Sequence, residues 1–195
     1  MTRVLVAALL ALTVAMPAAA SQWDIDPNHS MVGFVAKHLV FTKVRGHFQS
    51  WKGTVVLDDK DVTKSKVEVS IDPASITTDN KDRDTHLKSP DFFDVANHKE
   101  ITFKSTKVEK GADAGTLKVT GDLTLRGVTK PVTLDVSGPS AEFKDPGGNA
   151  HVAFSASGKI NRKDYGLNWS KAVEAAPVVS DEIVLEIEIE LKGKH

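Results

Sequence analysis

Residues 115–138 read GTLKVTGDLTLRGVTKPVTLDVSG. Leu117, Val119, Gly121, Leu123 and Leu125 alternate with Lys118, Thr120, Asp122 and Thr124; further on, Val132, Leu134 and Val136 alternate with Thr133 and Asp135. A period of two puts one set of side chains on a buried face and the other on a wet one. Thr, Val and Leu suit that pleated backbone. The interruption at residues 127–131 carries Gly127 and Pro131 and reads as a turn. The stretch is therefore two antiparallel strands whose apolar faces look the same way.

Working outward, the same rhythm marks strands at 23–26, 30–39, 44–48, 51–57, 66–72, 101–109, 152–160 and 183–191. Gly46 and Gly53 inside two of them signal the bends that barrel closure requires. Residues 77–94 break the rhythm. Asp79 or Asn80 caps a helix through Arg83, His86 and Leu87, Pro90 stops it, and residues 91–94 make a second helical turn. The fold class expected is all-β: an antiparallel eight-stranded barrel with a short helical insert.

Residues 1–20 stand apart. Arg3, the apolar run at 4–15 and Ala18-Ala19-Ala20 form a secretory signal peptide, cut after Ala20. The run is too short to span a bilayer, so no stable membrane insertion is expected. Residues 21–195 then form one domain. Of 25 basic residues, loss of Arg3 leaves 24 against 26 acidic, a net charge of −2. That balance gives no general attraction to nucleic acid or to anionic membranes. With no cysteine, thiol catalysis and thiolate metal sites are excluded, and stability comes from packing.

Several groups invite a chemical reading. Asp26, His29 and Ser30 suggest a hydrolase, but no strand–turn–helix elbow presents the serine, and a turn explains them as well. His29, His38 and His47 recur at a fixed spacing, and His86 and His98 flank the insert; nothing fixes a shared face for a metal. Neither catalytic residues nor a metal or other cofactor is assigned. A histidine-dependent metal-binding or enzymatic stress protein remains the alternative.

The phenylalanines say more. Phe34, Phe41, Phe48, Phe92, Phe93, Phe103 and Phe154 fall mostly on inward faces or on the insert. Ala36, Gly121, Ala156 and Gly158 are small inward residues that leave volume. A filled core and a ligand cavity both remain open. A channel would be walled by Phe34, Phe48, Phe92, Phe93, Phe103, Leu123, Leu125, Leu134 and Phe154. The basic groups near the insert and the loop after residue 161 (Arg83, His86, Lys88, Arg162 and Lys163) read either as solvated charge or as a mouth for a polar head. Arg83, His86, Arg162 and His38 are the head-group candidates.

Four motifs together resemble the YceI-like family: Asp26-Pro27-x-His29-Ser30-x-Val32-x-Phe34 with Arg45-Gly46-x-Phe48; Arg83-Asp84-x-His86-Leu87-x-Ser89-x-Asp91-Phe92-Phe93; the stretch from Gly121 to Val132; and Asn161-Arg162-x-Asp164-Tyr165-Gly166-Leu167 with Val179-Ser180-Asp181-Glu182-Ile183. The chain departs from the pattern at His98-Lys99, where members often carry an aromatic residue and a proline. The resemblance implies a lipocalin-like barrel in the bacterial periplasm that binds a polyisoprenoid or similar long-chain lipid in an elongated apolar channel, with no catalytic residues. Sequestration or transport of that lipid is the expected function, with a homodimer left open.

Overall fold

The computed structural model describes residues 21–39, 41–58, 60–170, 172–173 and 176–193. The signal peptide expected at 1–20 lies outside them. In chain order the strands are β1 (Ser21–Ile25), β2 (Met31–His38), β3 (Thr42–Phe48), β4 (Trp51–Leu57), β5 (Lys66–Ile71) and β6 (Ile76–Thr77). The helix α1 (Lys81–Lys88) follows, then β7 (Ile101–Lys110), β8 (Thr116–Leu125), β9 (Val128–Ser137), β10 (Phe143–Lys144), β11 (Ala150–Asn161), β12 (Ala172–Val173), β13 (Ala176–Pro177) and β14 (Glu182–Gly193).

Twelve segments, rather than eight strands, share one antiparallel sheet, while β12 and β13 form a separate ribbon. Eight of the twelve close a hydrogen-bonded ring: β1, β4, β5, β7, β8, β9, β11, β14 and back to β1. The larger count arises because three positions of the ring are each continued by a second segment (β2 after β1, β3 before β4, β6 after β5) and β10 adds a short edge. Residues 26–30 separate β1 from β2, 49–50 separate β3 from β4, and 72–75 separate β5 from β6. Pro27 and Pro73 remove ladder N–H groups at two of the breaks. Ser75 stitches the 72–75 break to the 49–50 break: Ser50 N–H donates to its Oγ at 2.9 Å and Gln49 N–H to its carbonyl at 3.2 Å.

The β8–β9 hairpin is longer than its sequence suggested. The turn is two residues, Arg126 and Gly127, with φ of 51° and 74°, the double left-handed geometry that matches strand twist. Pro131 lies inside β9, opposite Asp122. The next strand, β11, pairs only with Asp135 to Ser137 of β9, so Pro131 stands on a free edge where a missing N–H is tolerated. The alternation itself holds: Leu117 faces Val136, Val119 faces Leu134 and Gly121 faces Val132, all buried.

Asn80 caps α1, its side chain accepting Arg83 N–H at 3.0 Å. Residues 91–93 form a hydrogen-bonded turn, not a helical one. Phe41 does not face inward; it is exposed at the β2–β3 tip. Nor do the inward glycines leave space. A Cβ on Gly158 would lie 2.7 Å from Leu134, which already occupies that volume.

Candidate functional site: an apolar barrel cavity

An elongated cavity of about 280 Å³ runs through the ring. Its wall extends along β8 from Leu117 to Leu125, roughly 26 Å at about 3.3 Å per residue. Phe34, Phe48, Phe92, Phe93, Phe103, Leu123, Leu125, Leu134 and Phe154 all contribute to that wall. They are brought together because each occupies the inward parity of its strand, or, for Phe92 and Phe93, the turn after α1. Of the small residues, Ala36 and Ala156 line the space.

The helix and the turn after it form part of the wall. Leu87, Phe92 and Phe93 reach the cavity from α1 and its turn. Phe93 stacks edge-on against Phe48 at 5.8 Å, and Phe92 lies 5.3 Å from Trp169. Arg126, which the sequence reading passed over, ties the hairpin tip to this region: it donates to Gly166 O at 2.7 Å and Pro90 O at 2.9 Å. Tyr165 is 2% exposed, and burial pushes its phenol above its ordinary pKa, with Asp164 adding to the rise.

The four head-group candidates do not converge. Arg162 touches the cavity wall, but it is 3% exposed and its donors are spent on Leu167 O (2.5 Å), Trp169 O (2.7 Å), Ser180 O (3.1 Å) and Asp181 Oδ1 (2.9 Å). Lys163, then Arg162, hold the Asp181 carboxyl below its usual range. Arg162 therefore pins the loop after β11 rather than offering a free cation. Arg83 is outside the wall and folds back on Thr78, donating to its Oγ1 at 2.7 Å and its carbonyl at 2.8 Å. His86 bonds Asp91 at 2.8 Å and packs edge-on against Phe92 and Trp169. His38 is exposed at the end of β2, where it bridges to Val179. The signal missing from the sequence is the set of backbone carbonyls each cation answers, which exists only after the loops are folded.

The chemical candidates have structural employment. Asp26 accepts Asn28 N–H at 2.9 Å and lies 3.0 Å from His29 Nδ1, closing the turn between β1 and β2. That contact with His29 is the main cause holding Asp26 low, and it raises His29 in return. Ser30 Oγ accepts Glu190 N–H at 2.9 Å, so it braces β14 instead of meeting a base. His29, Asp26 and Glu190 gather within 4.8 Å; His38 and His47 do not join them. His86 and His98 each face a different aspartate, Asp91 and Asp94.

A YceI-like domain model matches residues 23–191. Protein YceI of Escherichia coli O157:H7 is 40% identical over 152 residues, covering 77% of this chain and 78% of that one. A UPF0312 protein of Vibrio parahaemolyticus is 35% identical over 202 residues, covering 99% and 98%. Among solved structures, a Campylobacter jejuni YceI protein superposes with a TM-score of 0.70 at 34% identity, over 82% of this chain and 90% of that one. A polyisoprenoid binding domain from Saccharophagus degradans shares the fold, with a TM-score of 0.63 at 17% identity over 89% and 99%. Motifs in order, a closed ring around an apolar core and these matches agree: the chain belongs to the YceI-like family.

Proposed function

We propose that the protein binds the long apolar tail of a polyisoprenoid-type lipid inside its barrel, in the periplasm, and sequesters or carries it without chemical change. The observation that carries this reading is the continuous apolar cavity running the length of β8. An elongated space suits a linear chain better than a compact ring. Each buried methylene contributes about 0.8 kcal/mol, so a long tail binds tightly even after the cost of ordering it. The Saccharophagus neighbour, described as a polyisoprenoid binding domain, shares this barrel. Ser30 is committed to bracing β14 and His29 to closing the β1–β2 turn with Asp26, which favours a binder over a hydrolase.

Native mass spectrometry of protein purified from its own host tests the proposal. The expected result is an adduct of lipid mass that is lost on denaturation, together with a melting temperature raised by added polyprenol. Bare protein whose melting temperature ignores polyprenols overturns it. A bound metal in place of lipid would favour the histidine-dependent alternative. Export is tested separately by N-terminal sequencing of the periplasmic fraction, where a start at Ser21 is expected.

A further inference from the structure

Leu39 and Phe41 stand at the tip of the β2–β3 hairpin. Phe41 is 82% exposed. Its N–H donates to His38 O at 3.1 Å and closes the turn. Leu39 holds a φ of 48°, in the left-handed region that a branched aliphatic residue rarely adopts. The turn at residues 145–149, by contrast, is built from ordinary turn formers, Asp145-Pro146-Gly147-Gly148-Asn149. Directly below the tip, Lys37 and Lys43 stand opposite each other across the ladder, both exposed. The neighbouring Arg45 is answered by Glu186 at 3.5 Å; among the described residues neither lysine has an ion-pair partner.

None of these features stabilises the fold. Like charges directly opposed are unfavourable, a leucine at positive φ is strained, and an exposed aromatic side chain gains nothing from folding. An Asn-Gly tip would close the hairpin better. Two costs and one forgone burial at one place, where other residues would serve the hairpin better, point to a use outside the fold.

We infer that this tip is a membrane-docking finger: Leu39 and Phe41 enter the headgroup–acyl boundary of an anionic bilayer while Lys37 and Lys43 meet its phosphates. Aromatic and leucine side chains next to lysines are the composition that lies in such an interface. The near-neutral charge of the whole chain does not oppose this, because attraction to a surface falls off within a Debye length and is decided locally. One small finger gives reversible docking, not insertion. The finger also sits beside the cavity. Ala36 of the same hairpin is part of the wall, and Leu39 N–H donates to Val178 O at 3.1 Å, next to the wall residue Val179. Its purpose, placing the cavity where lipid is collected or delivered, rests on the lipid-carrier reading; the docking itself does not.

Co-sedimentation of the purified protein with phosphatidylcholine vesicles, with and without phosphatidylglycerol, tests the inference. Binding is expected only with phosphatidylglycerol and should weaken as salt rises. The K37A/K43A variant should lose about 25-fold in partition coefficient, roughly 5-fold per lysine. Phe41→Ser should lose about 10-fold. Both substitutions are exposed, so melting temperatures should match wild type. Equal partition of wild type and variants, or equal binding to neutral vesicles, overturns the inference. So does a self-associated form in vesicle-free ultracentrifugation that Phe41→Ser abolishes, since the tip would then join two copies. Native mass spectrometry on the same samples keeps the two readings apart: protein that docks but carries no lipid sinks the carrier reading alone, and protein that carries lipid but does not dock sinks the finger alone.

Discussion

Phe103 fills the space that Gly121 leaves. A Cβ on Gly121 would stand 2.5 Å from Cζ of Phe103 and 2.6 Å from the carbonyl oxygen of Lys104. The same device recurs where Phe34 lies 2.5 Å from the Cβ position of Gly46. The rings that wall the cavity are thus seated in glycine notches on the neighbouring strand. Gly121→Ala is therefore expected to destabilise the protein by about 1–3 kcal/mol, lowering the melting temperature by about 2–4 °C for each kcal/mol. Adding Phe103→Leu should restore only part of the loss, because the Lys104 carbonyl belongs to the paired backbone and cannot yield. Full recovery in a thermal melt would show that the ring alone sets the constraint.

Arg162 gives a second prediction. Its removal leaves the carbonyls of Leu167, Trp169 and Ser180 without their donor, at a site where Arg162 itself is 3% exposed. Arg162→Ala should cost about 3–5 kcal/mol. Arg162→Lys should recover little of it, since one ammonium cannot reproduce the planar fork. Urea unfolding of both variants checks the order.

The cavity can be blocked from within. Ala156 lies on the wall, and Ala156→Phe places a ring in the path of a tail. Retained lipid should fall by 10-fold or more, while the melting temperature of the lipid-free protein stays at or above wild type because apolar area is gained. Unchanged retention by native mass spectrometry would place the tail outside the barrel.

Acid should unfold the protein through a small set of aspartates. Asn149, then His151, hold Asp145 well below the usual carboxylate range; Lys163 does so for Asp181 and His29 for Asp26. A depressed carboxyl contributes stability that is present above its unfolded pKa and is lost as pH falls through the folded one. Melting temperature should therefore be flat above about pH 5 on account of these groups and drop steeply below about pH 4. Asp145→Asn should make that acid limb shallower. His29 works the other way, with its pKa raised by Asp26. Its contribution is complete below pH 6 and fades as pH rises through the raised value, so His29→Asn should remove any such decline on the alkaline side.

The contrast between legible and illegible residues follows from what local sequence can encode. Leu123 and Val136 were readable because one sheet face is wet and the other dry, which leaves an alternating record. The wall phenylalanines inherit that parity. Phe41 obeys no such rule: it lies in a turn, where inward and outward lose meaning, and the structure exposes it. Gly121 and Gly158 were legible as small but not as occupied, because the ring or leucine that fills each notch comes from the adjacent strand. The structural partners of Arg162, Arg83 and His86 were illegible for a related reason. A charged residue near a loop looks free until the carbonyls and carboxylates it serves are assembled around it.

Ring closure also sets a timetable for folding. Trp23 to Ile25 in β1 pair with Gly193 to Leu191 in β14, so the first and last strands of the barrel are neighbours. Until residue 193 has been made, the ring has a gap and the cavity an open flank. Pairing of such distant segments is slow to form. A nascent chain is thereby kept from closing early, with one flank of the barrel open until the last strand is made.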